Sequence, residues 1–131
     1  MISQAGRPSV VLVVEDNLAN QLLVDAMLLD SGYEVRFASS ASEALKSIEL
    51  MRPDLILMDI SLPGQDGLSL TRQLKADPAS ASMQIVALTA HAMLGDRELS
   101  LDAGCIGHIT KPFDTKALRA QIAGFLAMAA A

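Results

Sequence analysis

Five short apolar stretches punctuate the chain at fairly even intervals: VVLVV at 10–14, EVRFA at 34–38, DLILM at 54–58, QIVAL at 84–88 and GHIT at 107–110. The first four are rich in Val, Ile or Leu and flanked by turn residues, which predicts buried strands; the fifth is weak taken alone. Between them, apolar residues return at helical spacing. In 17–30, Leu18, Leu22, Met27 and Leu29, with Ala26, share one side of a helix. In 40–50, a helix capped by Ser40 or Ser42 carries Ala44, Leu45 and Ile48. Segment 66–76 carries Leu68, Leu70 and Leu74, and 92–102 carries Met93, Leu94 and Leu101. The last segment, 114–127, opens on Asp114 and runs through Leu118, Ile122 and Phe125.

Strand and helix therefore alternate five times. That alternation predicts an α/β fold, with parallel strands joined by right-handed helical crossovers and helices on both faces of one sheet. Gly32, Gly64 and Gly104 fall where the chain must break between a helix and a strand. No repeat, linker or second domain is legible, so one domain over 1–131 is expected, with fraying at the first eight residues and at the closing AMAAA. Met27, Met51 and Met93 read as core filler. Leu94, Leu99 and Leu101 spread more widely than one buried stripe requires, which makes part of 92–102 a candidate partner face.

Composition narrows the classes. A chain of 131 residues that is 51% apolar and 19% charged can bury a real core, and wholesale disorder is excluded. No apolar run approaches the roughly 20 residues that cross a bilayer, so no membrane partner is expected. The segment MISQAGRPSVVLVVEDN soon runs into acids and is no secretory signal. A net charge of −5 argues against nucleic acid, which is met by basic patches. The single cysteine, Cys105, excludes an internal disulfide, fits a reducing cytoplasm and reads as a small buried hydrophobe.

In an open parallel sheet, ligands bind beyond the carboxyl ends of the strands, near the point where strand order reverses. Here Glu15 and Asp16 follow the first stretch, Asp59 the third, Thr89 the fourth and Lys111 the fifth. Each has an ordinary reading. Asp59 alone is strand punctuation, Glu15 and Asp16 suit a helix N-terminus, Thr89 is a β-branched strand residue, and Lys111 is solvated surface. Together they bring three carboxylates, a hydroxyl and an ammonium to one sheet edge. Clustered carboxylates repel, and at least one pKa rises unless a cation relieves them. Mg²⁺ fits better than Ca²⁺, because few protein ligands are on offer and Mg²⁺ keeps its waters. Metal, ammonium and hydroxyl are what a phosphoryl group needs around its oxygens, and an Asp carboxylate can itself be the nucleophile. Pro112 holds Lys111 extended and ends its strand; a cis Lys111–Pro112 bond would aim the ammonium inward, and the sequence leaves that isomer open.

The segments VLVVEDN, LILMDISLPGQDG, VALTAHA and HITKPF resemble, in order and spacing, the motifs of the response-regulator receiver domain of two-component signalling. The resemblance runs from residue 9 to residue 127. It implies a flavodoxin-like, doubly wound five-stranded parallel sheet in order 2-1-3-4-5 with five helices. By the same resemblance Asp59 is the phospho-acceptor, taking a phosphoryl group from a histidine of a sensor histidine kinase or histidine phosphotransfer protein. Glu15 and Asp16 hold Mg²⁺, with Asp59 and the backbone carbonyl of Ile60 completing the protein ligands. Thr89 matches the hydroxyl that bonds the phosphoryl group, and Lys111 matches the family's lysine.

Two departures stand out. The family often has Tyr or Phe three residues before that lysine, as a rotamer switch; here the position is His108, which brings pH sensitivity with it. The residues two beyond Asp59 and two beyond Thr89 are Ser61 and His91, at positions that tune in the family how fast water removes the phosphoryl group. The implied role is a switch rather than an enzyme: phosphorylation draws in Thr89, makes room for His108 and biases a surface over 92–102, 107–110 and 114–127 toward a downstream protein target. Two other classes compete. An aspartate-nucleophile phosphatase wants a second acid two residues after the nucleophile, where this chain has Ser61. Loss of a cluster member would favour a phosphate-independent binding module, and none is missing. A Rossmann nucleotide site is poorer still, for no G-x-G-x-x-G follows the first strand.

Overall fold

The computed structural model describes residues 8–60, 67–89, 94–111 and 113–130. Among them the strands are β1 (Val10–Val14), β2 (Glu34–Ala38), β3 (Leu55–Asp59), β4 (Ile85–Thr89) and β5 (Gly107–Thr110). They alternate with α1 (Leu18–Met27), α2 (Ala41–Leu50), α3 (Gly67–Ala76), α4 (Leu94–Ala103) and α5 (Thr115–Ala130). The sheet is parallel throughout, in the order β2-β1-β3-β4-β5 that the resemblance implied. β3 and β4 each sit one residue later than their apolar runs suggest, so Asp59 and Thr89 close the strands instead of following them. Both still have ladder partners, Leu88 for Asp59 and Thr110 for Thr89.

β1, β3 and β4 are buried at every position because helices cover both faces, which is why they read as unbroken apolar runs. Alternate side chains divide into two cores. Val11, Val13, Leu55, Leu57, Val86 and Leu88 pack against Val24 and Met27 of α1 and Leu118, Ile122 and Leu126 of α5. Leu12, Val14, Ile56, Met58, Ile85 and Ala87 pack against Ala41 and Ala44 of α2 and Leu70 and Leu74 of α3. Of the two serines offered as a cap for α2, Ser40 is used: its side chain accepts the N–H of Glu43.

The expected face of α1 is corrected. Leu18, Leu22 and Leu29 are exposed (66%, 60% and 65%), while Val24, Met27 and Leu28 are buried. α1 carries two apolar stripes, and the sheet takes the one whose upper turn is polar, Asn20 and Gln21. Counting only apolar residues favours the other stripe. Met27 is core as expected, whereas Met51 caps the exposed end of α2 and Met93 lies outside the described residues, as does Gly64. Gly32 and Gly104 do sit at breaks, with φ of 88° and 114°. In α4, Leu99 and Leu101 are exposed and Ser100 and Ala103 buried. Among the described residues no helix is long and apolar enough to cross a membrane.

Cys105 is buried, and burial pushes its thiol up to about 11 against smaller opposing effects of Thr71 and Lys75. Since the thiolate is the nucleophile, that shift and the lack of access act together. Iodoacetamide at pH 8 is expected to modify the native chain far more slowly than the urea-unfolded chain, as followed by intact mass. Equal rates would contradict the burial of this residue.

Candidate functional site

Parallel register brings the ends of four strands to one edge. Val14 stands level with Met58, Asp59 with Leu88, and Thr89 with Thr110, so Glu15, Asp59, Thr89 and Lys111 emerge side by side. Glu15 leaves β1 still tied to the sheet, its N–H donating to the Ala38 carbonyl at 2.9 Å. The Lys111 N–H likewise donates to the Thr89 carbonyl at 2.8 Å. Glu15, Asp59 and Thr89 are buried, whereas Asp16 is exposed at the mouth.

The Lys111 ammonium bridges the two buried acids, 2.6 Å from Glu15 Oε1 and 3.2 Å from Asp59 Oδ2. Burial pushes the Glu15 carboxyl above its usual range, the neighbouring Asp59 adds to the rise, and Lys111 opposes it. For Lys111, burial is the largest single effect and pulls the pKa down, but Glu15 and Asp59 together outweigh it and the net shift is upward. The ammonium thus bridges two members of a cluster of three carboxylates.

Carboxylate oxygens of Glu15, Asp16 and Asp59 lie within 4.8 Å of one another. Hard oxygen donors at that spacing, with negative charge in excess, fit a small divalent cation that keeps part of its water shell. The Ile60 carbonyl is at the same strand end and accepts the Gly67 N–H at 3.3 Å, which leaves it a second lone pair. Gly67 matters more than a break between elements suggests. A Cβ there would lie 2.1 Å from the Asp59 carbonyl oxygen and 2.8 Å from Ile60 Cα, so only a residue without a side chain lets α3 start against the end of β3.

His108 is half-buried in β5, level with Ala87. Ser61, His91 and Pro112, and with Pro112 the isomer of its peptide bond, lie outside the described residues. Three residues of the site have no counterpart in the sequence reading: Asn17, Asn20 and Gln21. The Asn17 N–H and the Asn20 amide both donate to the Glu15 carboxylate, and Gln21 Nε2 donates to the Glu15 carbonyl at 2.5 Å. Their signal was available, since a run of amides directly after two acids, EDNLANQ, opens the helix.

The family described as the response regulator receiver domain matches residues 11–123. The polar-differentiation response regulator DivK of Brucella anthropi is 40% identical over 119 residues, covering 91% of this chain and 97% of DivK. Among solved structures, the receiver domain of the sensor histidine kinase PA1611 from Pseudomonas aeruginosa is 39% identical, with a TM-score of 0.82 over 92% of this chain and 98% of that one. That structure has a magnesium ion coordinated in its active site cleft. A CheY-like receiver domain protein from Methanospirillum hungatei is 30% identical, with a TM-score of 0.83 over 93% of this chain and 96% of its own.

Proposed function

This chain belongs to the response regulator receiver domain family of two-component signalling, and from that footing we propose that Asp59 accepts a phosphoryl group from a phosphohistidine of a sensor histidine kinase or histidine phosphotransfer protein. The observation that carries the proposal is the buried Asp59 carboxylate held 3.2 Å from the Lys111 ammonium, beside Glu15 and below the exposed Asp16. An Asp59 oxygen attacks phosphorus and forms the O–P bond of an acyl phosphate. The P–N bond to the donor histidine breaks, and its electron pair stays on the imidazole. Lys111 offers fixed positive charge to the phosphoryl oxygens, and Thr89 at the neighbouring strand end offers a hydroxyl. Bound through Glu15, Asp16, Asp59 and the Ile60 carbonyl, Mg²⁺ would supply the remaining charge neutralisation.

The chain acts as a stoichiometric phosphoryl carrier and switch, not as a turnover enzyme, within a single cytoplasmic receiver domain whose core runs over 9–127. Thr89 and His108 relay the change to α4, β5 and α5, where the exposed Leu99 and Leu101 offer apolar surface to a downstream protein. Ser61 and His91 tune the lifetime of the acyl phosphate.

Intact mass after incubation with acetyl phosphate tests the proposal. Wild type with Mg²⁺ is expected to gain one phosphoryl mass, and neither wild type without Mg²⁺ nor Asp59→Asn gains it. A wild-type chain that forms neither that adduct nor a beryllofluoride complex would overturn the reading.

A further inference from the structure

The first turn of α1 faces the acidic cluster with amides instead of apolar groups. Asn17 caps the helix, its Oδ1 accepting the Asn20 N–H at 3.1 Å, and its own N–H donates to Glu15 Oε2 at 3.3 Å. Asn20 Nδ2 donates to Glu15 Oε1 at 3.0 Å. A carboxylate only accepts, so the Asn20 amide must present its NH₂ and not its oxygen. The same Glu15 oxygen receives the Lys111 ammonium at 2.6 Å. Next along, Gln21 Nε2 binds the Glu15 carbonyl and, at 3.1 Å, Ser39 Oγ, pinning the strand end itself.

We propose that Asn20 is a positioning residue for the cation-binding carboxylates: its amide holds Glu15 Oε1 toward α1, so that Glu15 is not drawn wholly onto Lys111 and Lys111 stays shared with Asp59. This rests on the reading of Glu15, Asp16 and Asp59 as the Mg²⁺ site. The distances show the contest. Lys111 already leans to Glu15, at 2.6 Å against 3.2 Å to Asp59. Without the amide, the ammonium is the remaining donor to Glu15 Oε1 among the described residues, and nothing there pulls that oxygen toward α1 against it. A cation must then draw Glu15 from an ion pair that no neutral donor competes with. The neutrality of the donor also matters. A Lys or Arg at position 20 would add positive charge beside a cation site, and an Asp would present an acceptor to an acceptor. An amide orients the carboxylate while leaving its charge to the metal.

A helix-capping role for this side chain is separable. The Asn20 backbone N–H is what Asn17 caps, and it persists whatever side chain stands at position 20. Leu and Ala are also better helix formers than Asn. The full chain is therefore compared as wild type, Asn20→Leu and Asn20→Ala. Mg²⁺ affinity is measured by calorimetry, Tm without Mg²⁺, and phosphorylation by acetyl phosphate across a Mg²⁺ series.

Both variants are expected to bind Mg²⁺ about tenfold more weakly, the lower end of what loss of a ligand-orienting partner costs. Their Tm without Mg²⁺ should hold or rise, and their phosphorylation rate should return toward wild type once Mg²⁺ saturates. Wild-type Mg²⁺ affinity in both variants would overturn the proposal, as would a lowered Tm with unchanged affinity. If wild type takes up no phosphoryl group while the variants still lose Mg²⁺ affinity, the positioning role stands and the phospho-acceptor reading falls.

Discussion

Lys111→Met is expected to slow phosphoryl uptake from acetyl phosphate by about 10²–10³-fold at saturating Mg²⁺, the range found when a preorganised charge or donor is removed from a developing anion. Met keeps most of the side chain's length, so the loss reports charge rather than packing. The Lys111 side chain is only 16% exposed and its ammonium contacts both Glu15 and Asp59, so solvent does not replace it readily. Its pKa is raised on balance, so it is fully charged wherever the assay is run near neutrality. The variant also leaves two buried carboxylates without their shared cation, and Mg²⁺ should then bind more tightly than in wild type. Activity and metal affinity moving in opposite directions is the signature of Lys111 acting on the phosphoryl group. If both fell together, Lys111 would instead be a structural prop for the acids.

Gly67→Ala is expected to cost about 3 kcal/mol of stability, at the upper end of what overpacking usually costs. The added Cβ would meet the Asp59 carbonyl oxygen at 2.1 Å and the Asp59 carbonyl carbon at 2.8 Å. Both are backbone atoms at the end of a central strand, and no rotamer change relieves the clash. Either α3 moves off the sheet or the end of β3 moves, and the second displaces Asp59 and Ile60 together. A urea melt should show a lower midpoint with little change in slope, and the surviving folded protein should bind Mg²⁺ poorly. Gly124→Ala is the matched control. Nothing lies within 4 Å of its Cβ position, and it sits inside α5, where Ala stabilises by roughly 0.5–1 kcal/mol. Equal effects of the two substitutions would contradict the close approach at Gly67.

How much of this was legible in the sequence differs by element. The three inner strands were plain because burial on both faces removes every polar residue except the closing Asp59 and Thr89 from VVLVV, LILMD and IVALT. Asp59 and Thr89 were placed just outside strands that in fact include them, since an apolar run ends at the last apolar residue while the ladder runs one residue further. The cluster of Glu15, Asp59 and Lys111 was readable because parallel topology puts every strand's carboxyl end on one edge. The buried face of α1 was misread for a reason tied to function. Its upper turn is polar because it serves Glu15, so the functional side of the helix looked, by hydropathy, like the solvent side. The need for glycine at position 67 was not legible, because closeness to a backbone 8 residues earlier leaves no trace in a pattern of apolar and polar residues.

The most direct measurement is the position of the phosphoryl group. Wild-type chain is phosphorylated with acetyl phosphate and Mg²⁺, reduced with borohydride so that an aspartyl phosphate becomes homoserine, digested and sequenced by mass spectrometry. Homoserine at position 59 and at no other acid is the expected result. Homoserine at Asp16, 5-hydroxynorvaline (the alcohol that a glutamyl phosphate gives) at Glu15, or a phosphoryl group that resists borohydride and maps to His91 or His108, would contradict Asp59 as the acceptor.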